Sequence, residues 1–221
     1  MTKFILTITL TLLSTIAPAQ LKGSGKTITK SYDYQNFDKI DFDDLDGKLE
    51  VEIGKPFSIA VTIDDNLLPL LSFDENQSDQ SLSIFFKGNY NNKMYIEDTN
   101  VKIKITMPSA TEIHHAGNSS LNVTNIDGST FKLDNADNAS TTLSGAIDQL
   151  EIKNHGNGIV NATKLIAEKA TIKSSGNGNV TANVSDTITG KAVGNGSIYN
   201  KGKAKFDANS SKSGNGHLIN L

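Results

Sequence analysis

The chain has 221 residues, of which 37% are hydrophobic and 6% aromatic, with no tryptophan. That is thin for a thick globular core and sufficient for a fold that buries narrow aliphatic columns. Its 21 basic residues are all lysine against 24 acidic ones, a net charge of −3. This excludes a generally basic nucleic-acid-binding surface and the planar arginine fork for carboxylates or phosphates. The absence of cysteine excludes disulfides, thiol chemistry and thiolate metal sites.

Residues 1–19 read as an export signal. Lys3 supplies the positive start, Phe4 to Ile16 an apolar stretch, and Ala17-Pro18-Ala19 a small-x-small cleavage site before Gln20. The apolar stretch is shorter than a membrane span, and no later segment is apolar enough to be one. The expected location is outside the cytoplasm: periplasm, cell surface or extracellular. Residues 20–35 read as a flexible N-terminal segment. From 36 to 108, the stretches Lys39 to Asp43, Leu49 to Ile53, Phe57 to Ile63, Leu82 to Phe86 and Val101 to Met107 alternate apolar and polar residues at least in part. They predict strands forming an irregular β cap and first coils, with turn chemistry at Asp64-Asp65-Asn66 and between Lys87 and Lys93.

Residues 109–221 repeat. Gly117-Asn118-Ser119, Asp137-Asn138-Ala139, Gly156-Asn157-Gly158, Gly176-Asn177-Gly178, Gly194-Asn195-Gly196 and Gly214-Asn215-Gly216 recur every 18 to 20 residues, always with asparagine in the middle. Positions are numbered below from the first residue of each tripeptide. Position −4 holds Ile113, Leu133, Ile152 and Ile172 before Gly190 and Ser210 break the pattern. Position +4 holds Leu121, Thr141, Val160, Val180, Ile198 and Leu218. Apolar residues also recur at −6 and +6, so each repeat reads as strand, turn, strand, second turn, with one buried face per strand. An antiparallel meander fits the spacing only partly. The sequence predicts an all-β, right-handed parallel β-helix (solenoid) with about six coils over 109–221, in one continuous domain with the irregular β cap over 36–221. Its six turn asparagines, Asn118, Asn138, Asn157, Asn177, Asn195 and Asn215, would stack into an amide ladder.

Phe37 to Ile40, Val51 to Gly54, the run Val61-Thr-Ile-Asp-Asp-Asn-Leu-Leu-Pro69, Val101 to Pro108 and the chain of Gly-x-Gly turns together carry a family likeness. In that combination the sequence resembles the putative auto-transporter adhesin, head GIN domain family of exported bacterial proteins. The resemblance covers about residues 36–221. It implies a pectin-lyase-like β-helix, no demonstrated catalysis and a role in adhesion. The family commonly has aspartate after the second glycine, where this chain has Ser120, Ser140, Ile159, Asn179, Ser197 and His217. No role of that acidic column carries over. The sequence also stops with the last coil, so a translocator of its own is not expected.

For function, the candidate contact face is the outward pair of positions +5 and +7: Asn122 and Thr124, Thr142 and Ser144, Asn161 and Thr163, Thr181 and Asn183, then Tyr199 and Lys201. Uncharged amides and hydroxyls with one aromatic suit sugar hydroxyls or exposed backbone. The plain alternative is that Asn and Thr simply stack well along a strand column. The functional expectation is an exported, non-catalytic interaction protein that binds a cell-surface glycan or protein, without nucleic acid or cofactor. Self-association through the unpaired strand edges of Leu218 to Leu221 is also expected. The competing expectation is a carbohydrate-active enzyme, a polysaccharide lyase or hydrolase. A lyase arginine is absent, and the acidic pairs Asp43-Asp44 and Asp64-Asp65 read as solvated turn or edge residues. Asp127, Asp134, Asp148, Asp186 and Asp207 do not line up in one column. The nine-residue period of calcium-binding glycine repeats is not met. His114, His115, His155 and His217 fall at four different positions and read as surface or turn residues, with no metal site.

Overall fold

The computed structural model describes residues 20–88 and 95–221. The export-signal reading and most of the 87–93 loop lie outside them. The chain forms an all-β solenoid in which two parallel ladders stack side by side.

The first two strands are short. β1 (Gln20–Lys22) pairs with β8 (Tyr95–Glu97), and β2 (Thr27–Tyr32) runs antiparallel to β5 (Ser58–Asp64). The segment expected to be flexible is therefore tied into sheets. A buried carboxylate helps hold it there: Asp64 is fully buried and accepts hydrogen bonds from the backbone N–H groups of Gly25 (2.9 Å) and Asn100 (2.6 Å). Burial alone would push this carboxyl up, but these bonds hold it below the usual aspartate range. Asp64 is thus an internal clasp rather than a solvated turn residue.

β3 (Lys39–Leu45) and β4 (Lys48–Ile53) form a coil joined at Leu45-Asp46-Gly47. β6 (Leu71–Asn76) lies antiparallel to β7 (Ser81–Phe86). β7 stacks parallel on β3, and β9 (Lys102–Met107) stacks parallel on β4. These later strands sit on the outer side of the earlier ones. On the inner side, β3 and β4 pair with β10 (Glu112–Gly117) and β11 (Ser120–Ile126), so parallel stacking runs through residue 109 without a break.

β12 (Thr130–Asn135) continues the first ladder. β13 (Ser140–Gly156), β14 (Val160–Gly176) and β15 (Val180–Gly194) each carry the chain from the second ladder around a corner into the first. The expected second turn is a bulged bend, where the register slips between Thr142 and Ser144 and between Asn161 and Ile166. β16 (Ile198–Asn200), β17 (Ser211–Gly214) and β18 (Leu218–Asn220) complete the stack.

The core is a set of one-residue columns. Leu82, Ile40, Ile113, Leu133, Ile152 and Ile172 align from coil to coil at position −4, each at most 2% exposed. Gly190 interrupts the column because Phe206, from the 201–210 excursion, takes its space: a Cβ on Gly190 would lie 2.7 Å from the Phe206 ring. Asn200, the polar break at +6, is buried with its amide bonded to Val184 and Ala204 backbone.

Candidate contact faces

At the turns, left-handed glycines set the bend, with φ between 99° and 112° at Gly117, Gly156, Gly176, Gly194 and Gly214. The second glycine is needed for closeness: a Cβ on Gly178 would sit 1.8 Å from the Gly158 carbonyl oxygen. Between them the asparagines form one unbroken ladder. Each Nδ2 donates to the previous Oδ1: Asn138 to Asn118 (2.9 Å), Asn157 to Asn138 (3.1 Å), Asn177 to Asn157 (2.7 Å), Asn195 to Asn177 (2.7 Å) and Asn215 to Asn195 (3.0 Å). All six amides are exposed yet engaged with one another.

Position −2 points inward and is polar in four successive coils: His115, Asn135, Asn154 and Ser174. Asn135 Nδ2 donates to Ala139 O and Asn154 Oδ1, Asn154 Nδ2 to Gly158 O, and Ser174 Oγ to Gly178 O. Thr141 Oγ1 donates to Asn135 Oδ1 (2.7 Å), so its one proton is spent. His115 Nδ1 must then donate to Thr141 (2.8 Å), and His115 Nε2 accepts from Ser119 Oγ (2.7 Å). His115 is fully buried, not a surface histidine. Burial lowers its pKa to about 4; the Asn135 hydrogen bond opposes this and His114 adds to it.

Position +5 forms a true column on the second ladder. Asn122 pairs with Thr142, Thr142 with Asn161, Asn161 with Thr181, and Thr181 with Tyr199. The side chains of Asn122, Thr142 and Thr181 make no hydrogen bond to other described residues. Asn161 Oδ1 accepts from Thr163 N and Oγ1. Position +7 does not form a matching column, because it falls in the bulged corner. There Ser144 Oγ donates to Val123 O (3.3 Å), Thr124 Oγ1 to Val51 O (3.5 Å) and Asn183 Nδ2 to Thr163 O (3.3 Å). Those groups brace the bend.

The first ladder presents a different face. Its N-terminal coils alternate charge: Lys39, Glu112, Lys132 and Glu151 are successive partners, and so are Asp41, His114, Asp134 and Lys153. Burial pushes the Asp41 carboxyl up, against His114 and the Ser83 hydroxyl. Asp41 and Asp134 lie two coils apart, roughly 10 Å, but the His114 side chain stands between them. The hollow beside Asp134 measures ~10 Å³, too small for more than a single water. Farther on, alternation stops. Lys153, Lys173 and Lys191 stack directly on one another at position −3, beside a groove of ~420 Å³ lined by Thr130, Gln149, Lys169, Thr171 and Thr187 among others. Asp148, Glu168 and Asp186 all stand at position −8. Both charge columns are visible in the sequence as constant offsets from the turn. Among the described residues, no three histidine, aspartate or glutamate side chains come together as metal ligands, and no helix is long and apolar enough to cross a membrane.

Two solved structures share this architecture. A putative adhesin from Bacteroides fragilis is 22% identical, with a TM-score of 0.70, covering 91% of this chain and all of that one. A putative lipid binding protein from Parabacteroides distasonis is 23% identical, with a TM-score of 0.54, covering 92% of this chain and all of that one. At such identities the likeness is one of fold. Among curated proteins none matches. The sequence profile of the putative auto-transporter adhesin, head GIN domain matches residues 36–204, and with the Asn-centred turns stacked as a β-solenoid, the chain belongs to that family.

Proposed function

We propose that this protein is an exported, non-catalytic interaction module that attaches to a cell-surface glycan or protein through the +5 column. The observation that carries this reading is the contrast between its polar groups. The turn amides are bonded to one another and the corner hydroxyls to backbone, whereas Asn122, Thr142 and Thr181 are left without a partner among the described residues. Unpaired amides and hydroxyls at strand spacing offer hydrogen bonds to an extended partner without a large desolvation cost. Tyr199 adds an aromatic ring at one end of the row. Membership in an adhesin family supports the reading.

The test is a pair of bulky charges in the middle of the row. Asn161→Lys with Thr181→Lys is expected to leave the urea midpoint near that of the parent and to abolish attachment to glycan arrays or whole cells. A folded double variant that attaches as well as the parent would remove this face. Export predicts a secreted form whose N-terminus is Gln20, read by mass spectrometry.

A further inference from the structure

The first ladder carries a feature that stability does not call for. Along its N-terminal coils, opposite charges meet across strands: Lys39 with Glu112, Glu112 with Lys132, Lys132 with Glu151. In the last coils the same face stacks Lys153 on Lys173 and Lys173 on Lys191, residue for residue. Like charges directly opposite one another on a sheet are destabilising. Lys153 has Glu151 at 3.8 Å, but Lys173 and Lys191 have no carboxylate partner among the described residues and are exposed. The three lysines therefore leave the backbone at intervals of about 4.8 Å along the solenoid axis.

A second observation lies next to the lysines. The ~420 Å³ groove runs along the same axis over several coils, with Lys132 and Lys169 as further cations and Glu151 as its one acid. The Thr130, Gln149 and Thr171 side chains in it make no hydrogen bond to other described residues, while Thr189 donates to Asp207 and Thr187 to Asp186.

The geometry points to a second binding site, separate from the +5 column: the Lys153–Lys173–Lys191 column and its groove take a linear acidic polysaccharide lying along the solenoid axis. Such a chain bears one carboxylate per sugar, and the carboxylates turned towards the protein meet the lysine column. Its hydroxyls meet the free threonine and glutamine groups of the groove. Nucleic acid fits less well. The outward neighbours of the lysines are Glu151 and His155, Thr171 and Ser175, and Thr189 and Val193, so a single ring among them offers no row of stacking platforms for successive bases, and there is no arginine.

The experiment measures binding of the parent to a 1,4-linked oligouronate, to a neutral oligosaccharide of the same linkage and to a single-stranded oligodeoxynucleotide. The parent is expected to bind only the oligouronate, more weakly as salt rises. Lys173→Glu with Lys191→Glu should weaken that binding roughly tenfold or more. Its urea midpoint should stay close to the parent's, because the variant turns the 153/173 pair into opposite charges while 173 and 191 remain alike; a purely structural role for the lysines would lower it. Lys173→Ala with Lys191→Ala provides a second variant without new charges. Asn161→Lys with Thr181→Lys should bind the oligouronate like the parent, which separates this site from the +5 face. A parent that does not bind the oligouronate, variants that bind it equally well, or equal binding of the oligonucleotide would each overturn the assignment.

Discussion

Asparagine at the centre of each turn does two things at once. Its backbone follows a residue in the left-handed region, glycine in every turn but the one at Asp137, and within the stack its amide donates to the coil before while accepting from the coil after. Asn177 is bonded on both sides, to Asn157 and Asn195 at 2.7 Å each. Asn215 makes only the bond to Asn195. Asn177→Ala should therefore cost on the order of 1–2 kcal/mol, and Asn215→Ala clearly less. Urea midpoints for the two variants check this, and identical midpoints for both and the parent would mean that the ladder contributes nothing. The flanking glycine is less forgiving than the asparagine. A methyl group on Gly178 would collide with backbone of the neighbouring coil, which cannot swing aside as a side chain would.

At the level of the strand, the inward −2 column passes from Phe42 to His115, then to Asn135, Asn154, Ser174 and Ala192, all buried. Each polar member bonds to the residue four positions on, across its own turn, and so ties the strand before the turn to the strand after it. A buried polar group without such a partner would be costly, and these are satisfied. His115 makes this column sensitive to pH. An unfolded histidine takes up a proton near pH 6.5, whereas folded His115 does so only at about 4. Between those values the unfolded chain binds more protons than the folded one, so stability falls as pH drops through the window and levels off below it. At about 1.4 kcal/mol per pH unit the total is about 3 kcal/mol. His115→Asn, which places here the residue of the next two coils, should remove most of this slope. The check is the difference in urea midpoint between parent and variant at pH 7 and pH 4.

Across the whole molecule, the solenoid is assembled out of chain order. β7 and β9 follow β3 and β4 in sequence yet stack outside them, and β10 returns to β3 over a separation of 73 residues. The N-terminal half is therefore part of the same continuous core, not a lid resting on a finished stack. Leu82 is fully buried against Ile40 in this outer coil. Leu82→Ala should cost roughly 2–5 kcal/mol, as a core truncation does, where a loosely packed cap would lose far less. Urea unfolding of that variant distinguishes the two.

The coil, its turns and the inward columns at −4 and +4 were legible in the sequence, because a parallel solenoid repeats the same environment at a fixed interval. Each strand needs an apolar residue at the same offset, and each turn opens with a residue that tolerates the left-handed conformation, glycine in five of the six and Asp137 in the other. The lysine column was equally open to view at a constant offset. What the tertiary structure alone decided concerns groups whose partners are far away in sequence. Asp64 becomes a clasp because Gly25 and Asn100 arrive from either side of it. His115 becomes a buried hinge of hydrogen bonds because Thr141, from the next coil, meets its ring. The +7 groups fall out of line with the +5 column because the corner bulges there, and no local pattern encodes where a bend will slip its register.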